Sequence, residues 1–258
     1  MKLQLLPSSF DDVITPSQRQ HLACFVIDDR VAFDAGSLAM SCTGRQRDQV
    51  RDIVLSHAHL DHVAGLPLFI DDLYSSLTEP IRIHAAPEVI EVLERDIFNW
   101  SVYPKFSELK NSSGPVLEYR PFEVGSAFPA AHLSVTSAAV NHRVPSAGFV
   151  IRSGETTIAL SGDTAGMDGF WIAANSQPQL AALLIECAMP NELSELAEMS
   201  HHLTPANLKR ELEKFEHRSC PIYLINIKPA FRERVILQVA DLGLERVSIL
   251  EVGKVYEW

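Results

Sequence analysis

The chain alternates between short apolar, β-branched runs and stretches in which an apolar residue returns every three or four positions, the signatures of strands and helices respectively. Residues 23–27 and 30–34 flank Asp28-Asp29 and predict a hairpin. Residues 53–55 predict a short buried strand running straight into Ser56-His57, followed by a helix over 63–77. Residues 82–84 predict a strand feeding a helix from Pro87, with Ile90, Leu93 and Ile97 on one face. Residues 133–140 predict a strand ending at Asn141-His142. Residues 148–153 and 156–161, joined through Gly154-Glu155, predict a hairpin that delivers Asp163 at its exit. A strand over 183–186 comes next. Thr204 and Pro205 open a helix with Leu208, Leu212 and Phe215 on its buried side. A strand over 222–227, a helix over 230–240 and a strand over 247–250 close the pattern.

Strands alternating with helices, but interrupted by hairpins, predict an α/β chain built on mixed sheets with helices outside. A purely parallel doubly wound sheet does not fit. No internal repeat, low-complexity tract or linker stands out, so a single domain over 1–258 is expected. Residues 101–115 are the most polar and turn-rich stretch and read as an exposed loop or lid.

Composition narrows the function. Twenty-two basic against 33 acidic residues give a net charge of −11, which argues against a broad nucleic-acid surface. A small anionic substrate stays compatible, because a bound cation can dominate the local field. The four cysteines (Cys24, Cys42, Cys187, Cys220) are scattered without a C-x-x-C pair and read as small buried hydrophobes in a reducing compartment. Leu3 to Leu6 is too short for a secretory signal, and no stretch reaches the ~20 apolar residues of a membrane span. The expectation is a cytoplasmic protein without a membrane partner, with a homodimer left open.

The strongest chemical signal is Ser56-His57-Ala58-His59-Leu60-Asp61-His62. Positions two apart in an extended chain share a face, so His57 and His59 can converge on one ion. Asp61 and His62 follow one turn later and can face a second. Imidazole and carboxylate suit zinc, with iron or manganese as alternatives. The bland alternative, satisfied polar residues at a strand–helix junction, fits poorly with three histidines and an aspartate inside six positions. His142 and Asp163, each at a predicted strand exit, are candidates for the same centre, with the Asp163 carboxylate able to bridge two ions.

These elements resemble the metallo-β-lactamase superfamily, whose fold is a four-layer αββα sandwich of two similar halves. The resemblance implies that His57, His59 and His142 hold one metal, that Asp61 and His62 hold the other, and that Asp163 lies between them. It implies a supporting aspartate at Asp34, in Phe33-Asp34-Ala35-Gly36.

Three segments resemble the class II cyclic-nucleotide phosphodiesterases in particular. They are the metal motif with its Val63-Ala64-Gly65-Leu66 continuation; the stretch Asp96-Ile97-Phe98-Asn99-Trp100-Ser101-Val102-Tyr103-Pro104; and Glu186-Cys187-Ala188 followed by Ser200-His201-His202-Leu203-Thr204-Pro205. The resemblance implies hydrolysis of cAMP or cGMP by a metal-bound hydroxide, with Asp61 and His202 in catalytic roles. His202 and Lys228 would bind the phosphate, and His202 would protonate the leaving oxygen. His201 has no family counterpart and reads as an ordinary surface residue.

Two departures qualify this. Asn226, in Ile225-Asn226-Ile227-Lys228-Pro229, stands where the family has its last metal-ligating histidine. An amide oxygen is a weak ligand, so the second of two divalent ions is expected to be held loosely. Pro7-Ser8-Ser9-Phe10 replaces the glycine-rich turn common after the first strand. The alternatives carried forward are a tRNA 3′-processing-like, ester or thioester hydrolase on the same site, and a mononuclear, non-catalytic nucleotide-binding protein.

Overall fold

The computed structural model describes every residue of the chain except Val13. The chain divides into two compact units, one comprising residues 1–123 with 252–257 and the other residues 124–251 with Trp258.

The first unit is built on a seven-stranded mixed sheet. Its strands run in the order Val255–Glu257, Lys2–Leu5, Phe25–Ile27, Val31–Phe33, Asp52–Val54, Ile81–Ala85, Leu117–Pro121. The first three pairings are antiparallel and the last three parallel. Three-residue strands such as Phe25–Ile27 and Val31–Phe33 are buried throughout, which is why they read as continuous apolar runs and not as alternating ones. The predicted hairpin is present, turned by Asp28 and Asp29, both at positive φ.

The helix predicted over 63–77 is instead two pieces, Leu60–Val63 and Leu66–Leu73. The break falls at Gly65, whose N–H leaves the helical ladder to bond the carbonyl of Ala35. A Cβ there would lie 2.6 Å from that same oxygen. The helix predicted from Pro87 is α-helical over Pro87–Val92 and widens to a π-turn over Leu93–Ile97, with Val89 and Leu93 buried. Residues 101–115 are largely exposed but not featureless. They carry a 3₁₀ turn, Phe106–Glu108, and a miniature hairpin, Lys110–Asn111 with Gly114–Pro115. The buried Phe106 ring anchors the stretch against Phe98 at a centroid distance of 5.7 Å.

The second unit repeats the scheme of the first. Its strands run Ala127–Ala130, Leu133–Ala139, Ala147–Ser153, Thr156–Leu160, Ala182–Glu186, Ile222–Ile225, Val247–Ile249. Again three antiparallel pairings are followed by three parallel ones. Ala159, Leu183, Ile185, Ile222 and Leu224 point to one face of this sheet. Phe170 and Trp171 of the helix Asp168–Asn175, Leu208 and Leu212 of Pro205–Leu212, and Val235 and Val239 of Arg232–Ala240 pack against them. Each such side chain contributes roughly 1.5–3 kcal/mol through burial. As the sequence predicts, Thr204 caps Pro205–Leu212, its hydroxyl accepting from the Asn207 N–H.

Cys24, Cys187 and Cys220 are buried and Cys42 is half-buried, all four as free thiols. Among the described residues, no helix is long and apolar enough to cross a membrane.

Candidate metal centre

In the first unit, Val31–Phe33 and Asp52–Val54 lie side by side in parallel, so their C-terminal ends open at the same edge. Asp34 leaves one end and Ser56-His57 the other. The carboxyl ends of parallel strands are where such sheets commonly carry their chemistry. Asp34 adopts the left-handed conformation, with φ at 57°. Its Oδ1 accepts from the Ser56 N–H at 2.8 Å and the Ser56 hydroxyl at 2.9 Å, and its Oδ2 lies 2.7 Å from Nδ1 of the buried His62. His57 Nδ1 lies 2.9 Å from the same Ser56 hydroxyl.

A carboxylate only accepts, so the Ser56 hydroxyl and the His62 Nδ1–H donate to Asp34, and the hydroxyl oxygen, its proton committed to Asp34, accepts from the His57 Nδ1–H. One buried carboxylate thereby sets the tautomer of two histidines and makes Nε2 the nitrogen that each can offer to a metal. This is the usual outer support of a metal-ligating imidazole. The three rings gather closely, with His57 centred 4.6 Å from His59 and 4.1 Å from His62. Asp61, half-buried, sits in the first turn of Leu60–Val63.

The loop after Asp34 also grips the backbone of this motif. Ala35 N–H donates to the His62 carbonyl at 2.7 Å, and Ala23 N–H to that of Asp61 at 2.8 Å. Gly36 lies so close that a Cβ would stand 2.0 Å from the Asp61 oxygen. Gly36→Ala is therefore expected to displace the ligand loop, costing about 2 kcal/mol as an overpacking substitution. For a chain of this size that lowers Tm by about 4–8 °C, with weakened metal uptake alongside. Calorimetry and metal titration of the variant check both effects.

In the second unit, three adjacent parallel strands end in Glu186, in Ile225 followed by Asn226, and in Leu160 with Asp163 three residues on. His142 follows Leu133–Ala139, which runs in the same direction, so all four residues emerge at one edge. Asp163 and His202 are buried and His142 is half-buried. The ligand atoms of these three lie within 4.8 Å of one another. His142 Nδ1 donates to the His201 carbonyl at 3.1 Å, which again makes Nε2 the nitrogen it can offer. His201 takes the left-handed conformation that ends the helix Ser194–Ser200, and its ring bonds Asn141 at 2.8 Å. It is thus a brace for His142 and not an ordinary surface residue.

Glu186 is fully buried and accepts backbone N–H groups from Thr164, Ala188 and Leu203, at 2.6, 3.2 and 3.1 Å. Its Oε1 lies 2.8 Å from His202 Nδ1. The resemblance passed through Glu186, but sequence reasoning gave it no role. A lone carboxylate ending the apolar run over 183–186 was the available signal. Burial opposes a charge on His202, but the carboxylate of Glu186, with help from Asp163, outweighs it and raises the histidine above its ordinary range. Lys228, half-buried, acts on His202 in the opposite sense. Asn226, at φ 54°, donates its amide Nδ2 to Asp163 Oδ1 at 2.5 Å.

Imidazoles with supported Nδ1 positions, buried carboxylates and a shared strand edge in each unit form donor sets that fit divalent transition metals. Residues 29–219 match the beta-lactamase superfamily domain, and the chain belongs to that superfamily. It is 28% identical over 243 residues to a probable 3′,5′-cyclic-nucleotide phosphodiesterase of Yersinia pestis, covering 80% of this chain and 68% of that protein. It is 30% identical over 187 residues to the 3′,5′-cyclic-nucleotide phosphodiesterase of Aliivibrio fischeri, covering 66% of this chain and 54% of that one. It is also 29% identical over 138 residues to the chloroplastic tRNase Z TRZ2 of Arabidopsis thaliana, covering 52% of this chain and 35% of that one. The chain thus spans about two thirds, half and a third of these relatives. The crystal structure of unliganded yeast PDE1 matches with a TM-score of 0.76 at 16% identity over 98% of both chains. The metallo-beta-lactamase fold protein YhfI of Bacillus subtilis matches at 0.72 and 15% identity, over 100% of this chain and 98% of that one. The fold is that of the metallo-β-lactamases, as the motif resemblance implies, and the chain is a member of a hydrolase family with phosphodiesterase relatives.

Proposed function

We propose that this protein is a metal-dependent phosphodiesterase that opens the 3′,5′-cyclic phosphate of cAMP or cGMP. The observation that carries the reading is the buried Glu186–His202 pair beside Asp163 and His142. A histidine tied at Nδ1 to a buried carboxylate and raised toward its protonated form has the state needed to give a proton to a leaving ribose oxygen. The names of the Yersinia and Aliivibrio relatives support the same substrate class.

The proposed ligands are His57, His59, Asp61, His62, His142 and Asp163. Zinc is the proposed ion, and Asp61 is also expected to act in catalysis. Two divalent ions, when bound, would make a nucleophile available from water near neutral pH and offset the charge on the phosphoryl oxygens. The residues of the chain do the rest. Asp34 and Ser56 hold the ligating imidazoles in one tautomer, Glu186 orients His202, and Lys228 adds positive charge for the phosphate.

The tRNase Z likeness favours a second reading as an RNA 3′-processing hydrolase. Against it stand the net charge of −11 and the hairpin that takes up nearly all of the chain between His142 and Asp163, where no basic arm is inserted. Turnover of cAMP, cGMP, bis(p-nitrophenyl) phosphate and a precursor tRNA by the metal-loaded protein separates these. Hydrolysis of a cyclic nucleotide, lost with a chelator and restored by metal, is the expected result. Processing of the tRNA with cyclic nucleotides untouched would select the second reading, and metal binding with no turnover of any of the four would make the protein a non-catalytic binder.

A further inference from the structure

Asn226 is set in the second unit in an unusual way. It directly follows the strand Ile222–Ile225 and takes the left-handed conformation, which costs most side chains roughly 1–2 kcal/mol but which asparagine tolerates. That backbone turn brings its amide to Asp163, where Nδ2 donates to Oδ1 at 2.5 Å. An NH₂ group is a donor and has no lone pair to give a cation. As placed, Asn226 therefore presents to the centre the end of its amide that cannot ligate. Asp163 Oδ2, on the other side of the same carboxylate, lies 4.0 Å from His202 Nδ1.

We propose that Asn226 is a positioning residue that limits how many ions the centre holds firmly, by fastening Asp163 as a one-oxygen ligand. A carboxylate that bridges two cations through both of its oxygens gives one to each and must turn to suit both. With Oδ1 tied to the Asn226 amide, Asp163 would have Oδ2 to offer a first ion and could give Oδ1 to a second only by bending or breaking the bond from Asn226. The second ion then binds in competition with a hydrogen bond to a charged acceptor, which is among the stronger kinds. This makes the centre a graded one, firmly loaded with one ion and loaded with the second only when divalent metal is abundant. The proposal rests on the metal-centre reading above, and it is opposite in sign to a role for Asn226 as a weak ligand.

Calorimetric titration of the metal-stripped full chain with Zn²⁺, with metal per chain counted after dialysis, tests it on wild type, Asn226→Asp and Asn226→Ala. Asn226→Asp keeps the side-chain shape and the tolerance of the left-handed backbone but exchanges the donor for an acceptor. Wild type is expected to show one firm and one weak ion. Asn226→Asp should tighten the second by at least about tenfold, since 1.4 kcal/mol is all that factor requires. Asn226→Ala, which removes the tether and adds only the backbone strain of an alanine in the left-handed turn, should bind the second ion as well as wild type or better. A second ion weakened about tenfold in Asn226→Ala would overturn the proposal and make Asn226 a ligand. So would two firmly held ions in the wild type. Failure of the wild type to bind even a first ion would overturn the metal-centre reading itself, and this proposal with it.

Discussion

The double substitution His57→Ala with His59→Ala is expected to abolish stoichiometric transition-metal binding. The two rings stand 4.6 Å apart at the end of one buried strand, and each alanine removes an imidazole without leaving a group that could replace it. Of the proposed ligands, Asp61, His62, His142 and Asp163 remain. The ion proposed for His57, His59 and His142 keeps one imidazole of three, however, and the other ion is the one expected to be held loosely, so neither is retained in stoichiometric amount. Asp34→Asn provides the graded comparison. It leaves every ligand in place but replaces an acceptor that fixes His57 and His62 with a group that can donate, so metal affinity should fall about 10–100-fold. Elemental analysis after gel filtration in metal-containing buffer measures both. Unchanged metal content in the double variant would show that the ions, if any, are held elsewhere.

His202→Ala is expected to lower kcat on a cyclic nucleotide by roughly 10²–10⁴-fold, the range for a lost general acid, while metal content stays intact. The pH profile carries the sharper test. Glu186 and Asp163 raise His202, so its proton is lost at a higher pH than that of an ordinary histidine. Wild-type kcat should therefore decline on the alkaline side, and that limb should vanish in the variant. Glu186→Gln keeps the shape of the pair but removes the charge that holds the proton. Its alkaline limb should move to lower pH. Bis(p-nitrophenyl) phosphate, whose leaving group needs little protonation, should suffer much less from either change. An equal loss on both substrates would mean that His202 acts by positioning and not by giving a proton.

The metal motif was legible in the sequence because its information is local. The spacing of His57, His59, Asp61 and His62 follows from an extended strand exit and one turn of helix, and periodicities of two and 3.6 survive in any fold that keeps those elements. The mixed sheets were legible for the same reason, since the hairpin across Gly154-Glu155 and the long apolar strands declare themselves over a few residues. Most expected boundaries differ by one or two positions, as with 222–227 against Ile222–Ile225. Asp34 was placed by resemblance alone. The structure supplies its work, which is to hold Ser56 and His62 from 22 and 28 residues away.

What the tertiary structure alone decided lies where sheet order brings distant strand ends together. The motif resemblance implied two similar halves, but no sequence period shows the strand scheme they share, because that scheme is a pattern of hydrogen-bonded backbone partners and is indifferent to which apolar residue fills each place. The break at Gly65 is written 30 residues earlier, in the carbonyl of Ala35. Glu186 shows in the sequence as one carboxylate after an apolar run. Only the parallel pairing of its strand with Thr156–Leu160 and Ile222–Ile225 gives it three backbone donors and His202. The sequence also showed that Asn226 is not a histidine. That its amide faces Asp163 as a donor followed only from the left-handed turn at the end of its strand.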